Sequence, residues 1–255
     1  MNIRLNIDVA EGYKSKSQAA RVFTELWVAE NMFCPRCGAP FLNHLRNNAP
    51  VADFSCPSCG DIFELKSKSG SLPNKIPDGA YDTMISRITG NTNPDFLFMT
   101  YSPVDFRIED LILIPNYFFV PEIIEKRKPL ADTARRSGWV GCNVLIGKIP
   151  NQGRIPIISD GVPRDKSAVV ADTTKLLGLK VEKLSSRGWL FDVLNCVNEI
   201  ESEDFTLDDA YRYVDVLAAK HPDNHNVEAK IRQQLQLLRN KGYIEFVGRG
   251  KYKKI

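Results

Sequence analysis

Four of the six cysteines form two pairs, Cys34-Pro-Arg-Cys37 and Cys56-Pro-Ser-Cys59, with 18 residues between them. Two intervening residues let one tight turn offer both sulfurs to a single ion, and a second such turn completes a tetrahedron. Gly38 and Gly60 follow the pairs, where a positive φ and backbone amides aimed at sulfur are required. Disulfides are the alternative. They fit poorly with the opening MNIRLNIDVAEGYKSKS, which has charges where a secretion signal has its apolar stretch. Cys34, Cys37, Cys56 and Cys59 are therefore expected to hold Zn²⁺, and four thiolates leave it no open position, so the ion is structural. Cys142 and Cys196 are expected to be buried as small hydrophobes.

The chemistry must lie in what the zinc braces. Val51-Ala-Asp-Phe-Ser55 precedes the second pair, and Ile62-Phe-Glu-Leu-Lys-Ser67 follows it. Both read as strands. Alternation puts Phe63 and Leu65 on one face of the second strand and Glu64 with Lys66 on the other. A hairpin capped by the knuckle brings Asp53 beside them. Two carboxylates and an ammonium suit Mg²⁺-dependent phosphoryl chemistry: the carboxylates, Asp53 and Glu64, hold the ion, and Lys66 orients water or offsets charge on the phosphorane. This spacing is similar to that of the P-D…(D/E)-x-K nuclease superfamily, although Pro50 stands three residues before Asp53 instead of one. Glu-x-Lys alone also marks ordinary exposed strand faces.

The elements that would carry this set form an α/β region. Ser17–Glu30 reads as a helix with Ser17 as N-cap and Ala20, Phe23 and Trp27 on its apolar stripe, and Asp78–Thr89 reads as a second helix. Short apolar runs at Phe96–Thr100, Leu111–Ile114, Trp139–Ile146 and Ile155–Ser159 are expected strands. Beyond about residue 180 the periodicity turns helical. Trp189–Ile200 is one expected helix, a second starts at the cap Thr206-Leu-Asp-Asp209 and runs to about His221, and Asn226–Asn240 is a third. A hairpin around Gly248-Arg-Gly250 follows. This order predicts a winged helix, whose third helix enters the major groove while wing cations meet phosphate. Opposite the Val227/Ile231/Leu235/Leu238 stripe lie Asn226, Ala229, Lys230 and Gln233, a set suited to base edges. A solvated helix face in a protein-interaction module is the competing reading.

Composition adds limits. With 255 residues, 43% hydrophobic and 25% charged, the chain has room for two domains and is not of the disordered, collagenous or disulfide-dense kinds. The expected division is 1–183 and 184–255. No apolar run approaches the ~18 residues of a membrane span, so a cytoplasmic protein is expected. Net charge is only +3. From residue 228 onward, however, eight basic side chains face only Glu228 and Glu245. That tail, with Arg249, Lys251, Lys253 and Lys254 in the hairpin, suggests a polyanionic partner, a solubilising tail being the alternative.

Together these features bear a resemblance to a known family. PVADF, the Cys-x-x-Cys pair and FELKSK, then PDGAY (77–81), RKPLADTARRSGWVGCN (127–143), SSRGW (185–189), KIRQQLQLLRNK (230–241) and EFVGRGKYKK (245–254) resemble the DpnI family of methyl-directed type II restriction endonucleases. The resemblance implies a restriction-endonuclease-like PD-(D/E)xK core with a zinc knuckle and a C-terminal winged helix. It further implies that each reads GATC carrying N6-methyladenine and that both DNA strands are cut. Asp53, Glu64 and Lys66 become the catalytic set. Trp139 is the expected methyl-sensing face, with Arg135 or Arg136 on phosphate or guanine, and a core role is the alternative for the indole. Two unlike reading modules in one chain suggest a monomer. Other classes stay open at this point, namely a non-catalytic winged-helix regulator with a structural zinc and a structure-specific repair nuclease indifferent to methylation.

Overall fold

The computed structural model describes residues 1–46, 52–90, 92–180 and 184–255. Pro50 and Val51 lie outside the described residues, as does residue 183, the expected last residue of the first domain. The chain divides into two compact units, 1–147 with 151–177 and 148–150 with 178–255.

The first unit contains α1 (Lys16–Asn31), β1 (Asn43–His44), β2 (Phe54–Ser55), β3 (Ile62–Ser69), β4 (Ile76–Ala80), α2 (Tyr81–Thr89), β5 (Asp95–Tyr101) and β6 (Ile108–Ile114). It continues with β7 (Ile124–Lys126), β8 (Gly141–Val144), β9 (Ile155–Ser159), β10 (Val162–Pro163) and α3 (Lys166–Leu177). Seven strands make one sheet in the order β1-β2-β3-β5-β6-β9-β10. Strands β3 and β5 run parallel, and the β2–β3 and β5–β6 neighbours run antiparallel. All seven residues of β5 are buried, as expected for a strand covered on both faces. Phe96, Leu97, Phe98 and Met99 are at most 1% exposed, each worth about 1.5–3 kcal/mol of burial.

Helix α1 covers this sheet through Phe23, Trp27 and Val28, and Thr24 Oγ1 donates to Ser67 Oγ on β3 at 3.1 Å. Its start differs from expectation. Ser15 is the N-cap, and its hydroxyl is hydrogen-bonded to that of Ser17 instead of to the helix backbone. The second helix differs more. It begins at Tyr81, because Ile76–Ala80 is extended and pairs with β8 in a separate sheet, β4-β8-β7. Pro77 and Gly79 disfavour helix there, and the ladder to β8 satisfies the backbone. Asp78 is thereby placed on a strand opposite Cys142. Likewise only Gly141–Val144 of the expected Trp139–Ile146 strand is extended pairing; Trp139 lies before it, outside any strand, with its N–H on the Arg136 carbonyl at 3.1 Å.

The second unit contains α4 (Leu184–Glu199), β11 (Asp204–Thr206), α5 (Leu207–Tyr211), α6 (Val214–Lys220), α7 (Val227–Asn240), β12 (Ile244–Gly248) and β13 (Lys251–Lys254). Thr206 and Asp209 form the expected capping box. The helix they open is broken, because ψ relaxes to −19° at Arg212 and 6° at Tyr213 before α6 resumes. Helix α7 buries Val227, Ile231, Leu235 and Leu238, and also Gln234. Strand β11, not foreseen in the sequence, joins the terminal hairpin in the order β11-β13-β12. The hairpin turns at Gly250, whose φ of +68° a β-carbon would disfavour.

Candidate active site and metal centre

The two Cys-x-x-Cys turns meet. One sulfur atom from each of Cys34, Cys37, Cys56 and Cys59 lies within 4.8 Å of all the others, and the Cys34–Cys59 and Cys37–Cys56 separations are 3.7 and 3.6 Å. Tetrahedral zinc with Zn–S of about 2.3 Å requires edges of about 3.8 Å, so this cluster fits structural zinc. Gly38 and Gly60 have φ of +76° and +77°, and each donates its N–H to the carbonyl of the first cysteine of its pair. Burial pushes the Cys34 thiol up to about 12. Cys56 is drawn down to about 7 because, against its burial, the N–H groups of Cys59 and Ser58 point at its sulfur at 3.5 and 3.4 Å.

The knuckle is fastened to the sheet by the residue inside its first turn. Arg36 Nε meets Asp61 at 3.0 Å, and its Nη2 meets Asp95 at 2.8 Å on the buried strand β5. Asp95 also accepts the N–H of Asn116 at 2.7 Å. Burial raises the Asp95 carboxyl despite Arg36, the mark of a charge that depends on its partner.

The second knuckle turn caps the β2–β3 hairpin of the sheet, in register Phe54↔Phe63, with Asp53 N–H on the Phe63 carbonyl at 2.9 Å. Asp53 is thus carried to the strand bearing Glu64 and Lys66. Its Oδ2 accepts the Leu65 N–H at 2.8 Å. Lys66 Nζ lies 2.6 Å from Glu64 Oε1, and Arg87 of α2 reaches Glu64 Oε2 at 3.3 Å. Burial pushes the Glu64 carboxyl above its ordinary range; Lys66 pulls it down and Asp78 pushes it further up. Burial alone would lower the Lys66 ammonium, but Asp78 and Glu64 outweigh it and hold it above its usual range.

Three acidic or basic neighbours were not read from the sequence. Asp78 of β4 meets Lys66 Nζ at 2.5 Å. Glu25, 6% exposed on α1, is raised by burial and by the charge of Asp53, and it pairs with His44 Nε2 at 3.1 Å. Arg87 is the third. Only the PDGAY segment carried a signal; a glutamate beside an apolar helix stripe reads as solvent-facing until the sheet is laid on it. Cys142 and Cys196 are buried as expected, but the Cys142 thiol, raised to about 11 by burial, also feels Asp78, Lys66 and Glu64.

Trp139 is half-buried. Arg136 stacks on its ring at 4.7 Å, and a β-carbon at Gly141 would lie 2.8 Å from the indole. Arg135 and Arg136 are exposed. In the second unit Asn226, Ala229 and Gln233 are exposed and Lys230 is half-buried, its Nζ on Gln233 Oε1 at 2.8 Å. Arg249, Lys251 and Lys253 are exposed on the hairpin, whereas Lys254 donates to the Ile200 carbonyl.

Residues 1–182 match the model of the DpnI family, described as the Dam-replacing family. The chain belongs to this family. Residues 185–254 match its companion, the Dam-replacing HTH domain. Membership of the Dam-replacing family supports nuclease-like action on DNA and DNA binding by the second unit. No helix among the described residues is long and apolar enough to cross a membrane.

Proposed function

We propose that the chain is a methyl-directed type II site-specific deoxyribonuclease, hydrolysing both strands of duplex DNA at GATC carrying N6-methyladenine. The observation that carries this reading is the hairpin that delivers Asp53, Glu64 and Lys66 to one place in a chain of the Dam-replacing family. On this reading residues 1–183 are a PD-(D/E)xK core and residues 184–255 a winged helix. The chain acts as a monomer on adenine-methylated DNA in the cytoplasm.

Asp53 and Glu64 would hold Mg²⁺, and their chemistry suits it, since carboxylate oxygens are the ligands that ion takes. When bound, Mg²⁺ supplies charge stabilisation of the phosphate and a more acidic water. The chain's own groups do the rest. Asp53 is oriented by the Leu65 N–H, so its second oxygen is left for the ion. Burial raises the Glu64 carboxyl, and Lys66 and Arg87 oppose that rise and favour its charged form. Lys66, kept charged, orients the attacking water or offsets charge developing on the phosphorane. Trp139, supported by Gly141 and Arg136, offers an apolar face for the methyl groups, and Arg135 and Arg136 offer cations to phosphate or guanine. In the winged helix, Asn226, Ala229, Lys230 and Gln233 face base edges, and Arg249, Lys251 and Lys253 meet phosphates.

The test is incubation of purified protein and Mg²⁺ with one plasmid in adenine-methylated and unmethylated forms, followed by end mapping. Discrete cuts at GATC in the methylated plasmid alone are expected. Methyl-dependent binding without cuts would replace this reading with a regulator, and equal cutting of both plasmids would remove the methyl requirement.

A further inference from the structure

Asp78 sits in the PDGAY segment, which marks the family resemblance but supplies nothing to the catalytic set read from the sequence. Its side chain is 5% exposed. Oδ1 lies 2.5 Å from Lys66 Nζ and also takes the Gly79 N–H at 2.7 Å, which fixes the carboxylate's orientation. Oδ2 is buried without a hydrogen-bond partner among the described residues. A buried, charged oxygen left without a donor is rare in folded proteins and calls for a reason.

The reason lies in what happens to Lys66 when Glu64 is used. A lysine ammonium is a compact charge on four rotatable carbons and does not hold its own position. Glu64 Oε1 holds Nζ at 2.6 Å, but a Glu64 that turns toward a divalent cation gives up that contact. Asp78 comes from another strand, in another sheet, where the ladder to β8 pairs it with Cys142. Its grip does not depend on Glu64.

We infer that Asp78 is a positioning residue of the active centre: Oδ1 keeps Lys66 Nζ in place while Glu64 serves the cation, and Oδ2 is the acceptor for a solvent water that enters with the cation and takes no part in the reaction. The inference rests on the catalytic reading of Asp53, Glu64 and Lys66. Asp78 acts through Lys66 and touches neither DNA nor the reacting atoms.

The full-length chain, Asp78→Asn, Lys66→Met and the double variant test it by single-turnover cleavage of a methylated duplex in Mg²⁺. Affinity for the same duplex is measured separately in Ca²⁺. Asp78→Asn keeps the shape and removes the charge. A fall in rate of about 10- to 100-fold is expected, the loss typical of a displaced catalytic group, with affinity unchanged within about twofold. The double variant is expected to be no slower than Lys66→Met alone. The ¹⁵Nζ resonance of Lys66, assigned by its loss in Lys66→Met, is expected to be sharp in the wild type with Ca²⁺ and broadened in Asp78→Asn. Wild-type cleavage by Asp78→Asn overturns the inference, and so do multiplying losses in the double variant. Should Asp78→Asn fail to fold, a wild-type Lys66 resonance as mobile as those of surface lysines overturns it equally. A wild-type protein that cuts no DNA removes the catalytic reading and this inference with it.

Discussion

Asp53 Oδ2 accepts the N–H of Leu65, the residue between Glu64 and Lys66, at 2.8 Å. One carboxylate is therefore tied by its side chain to the backbone of the strand that bears the other two groups. The hairpin sets the register, and this bond sets the orientation of the carboxylate within it.

That bond separates two substitutions at one position. Asp53→Asn keeps an acceptor for Leu65 and removes the charge. Cleavage is expected to fall about 100-fold or more, because a metal-held carboxylate contributes several kcal/mol to the transition state. Melting temperature and binding of methylated duplex should hold. Asp53→Ala should lose cleavage equally and also melt earlier, since a part-buried N–H left unpaired costs about 1–3 kcal/mol. Undiminished cutting by either variant would remove Asp53 from the site.

The cysteine cluster and Arg36 should behave as one structural unit. Zinc content by atomic emission is expected at about one per chain. Its removal by a strong chelator should abolish cleavage that excess Mg²⁺ does not restore. Arg36→Ala should destabilise the first unit by about 3–5 kcal/mol, because it strands the buried Asp95 charge. A variant that melts with the wild type would mean the knuckle is not held to β5 by this pair.

Glu25 gives a pH signature. Burial and the Asp53 charge raise its folded carboxyl above the unfolded value. The folded state thus gains from the proton at low pH, and that gain is lost as pH rises through the folded value, leaving a charged Glu25 that costs stability at neutral pH. Glu25→Gln should therefore raise the melting temperature of the cation-free protein at pH 8, by about 2–4 °C for each kcal/mol relieved. The gap should close toward pH 4. A gap independent of pH, read by thermal melts, would show that ionised Glu25 is not the source.

Gly141 supports Trp139 by having no side chain. Gly141→Ala places a β-carbon 2.8 Å from the ring, so the indole must move. Its effect is expected to copy that of Trp139→Ala, a loss of about tenfold in preference for methylated over unmethylated duplex, two methyl contacts being worth about 0.8 kcal/mol each. Competition cleavage measures it. An unchanged preference in both variants would return Trp139 to a packing role.

In the second unit, base and phosphate contacts should separate by salt. Gln233→Ala is expected to weaken binding to the methylated site by about 1–3 kcal/mol and to leave the salt dependence alone. Arg249→Ala and Lys251→Ala should weaken binding to all duplexes and each reduce the slope of log affinity against log salt by about 0.9. A steep salt slope that survives both substitutions would place the phosphate contacts elsewhere.

The sequence was enough for whatever depends on short-range spacing. Two residues between cysteines, alternation around Glu64 and Lys66, and the apolar stripe of α7 are local periodicities, and each reappears in the structure at the expected residues. Helix starts were less legible. Pro77 and Gly79 are weak signals until β8 arrives to pair with Ile76–Ala80, and the strand Asp204–Thr206 exists only because β13 lies beside it. Tertiary structure alone decided the surroundings of the candidate site. Glu25 comes from α1, His44 from β1, Asp78 from β4 and Arg87 from α2. No periodicity links them, because ionic contacts between elements depend on sheet order and helix packing, which a single strand's pattern does not encode.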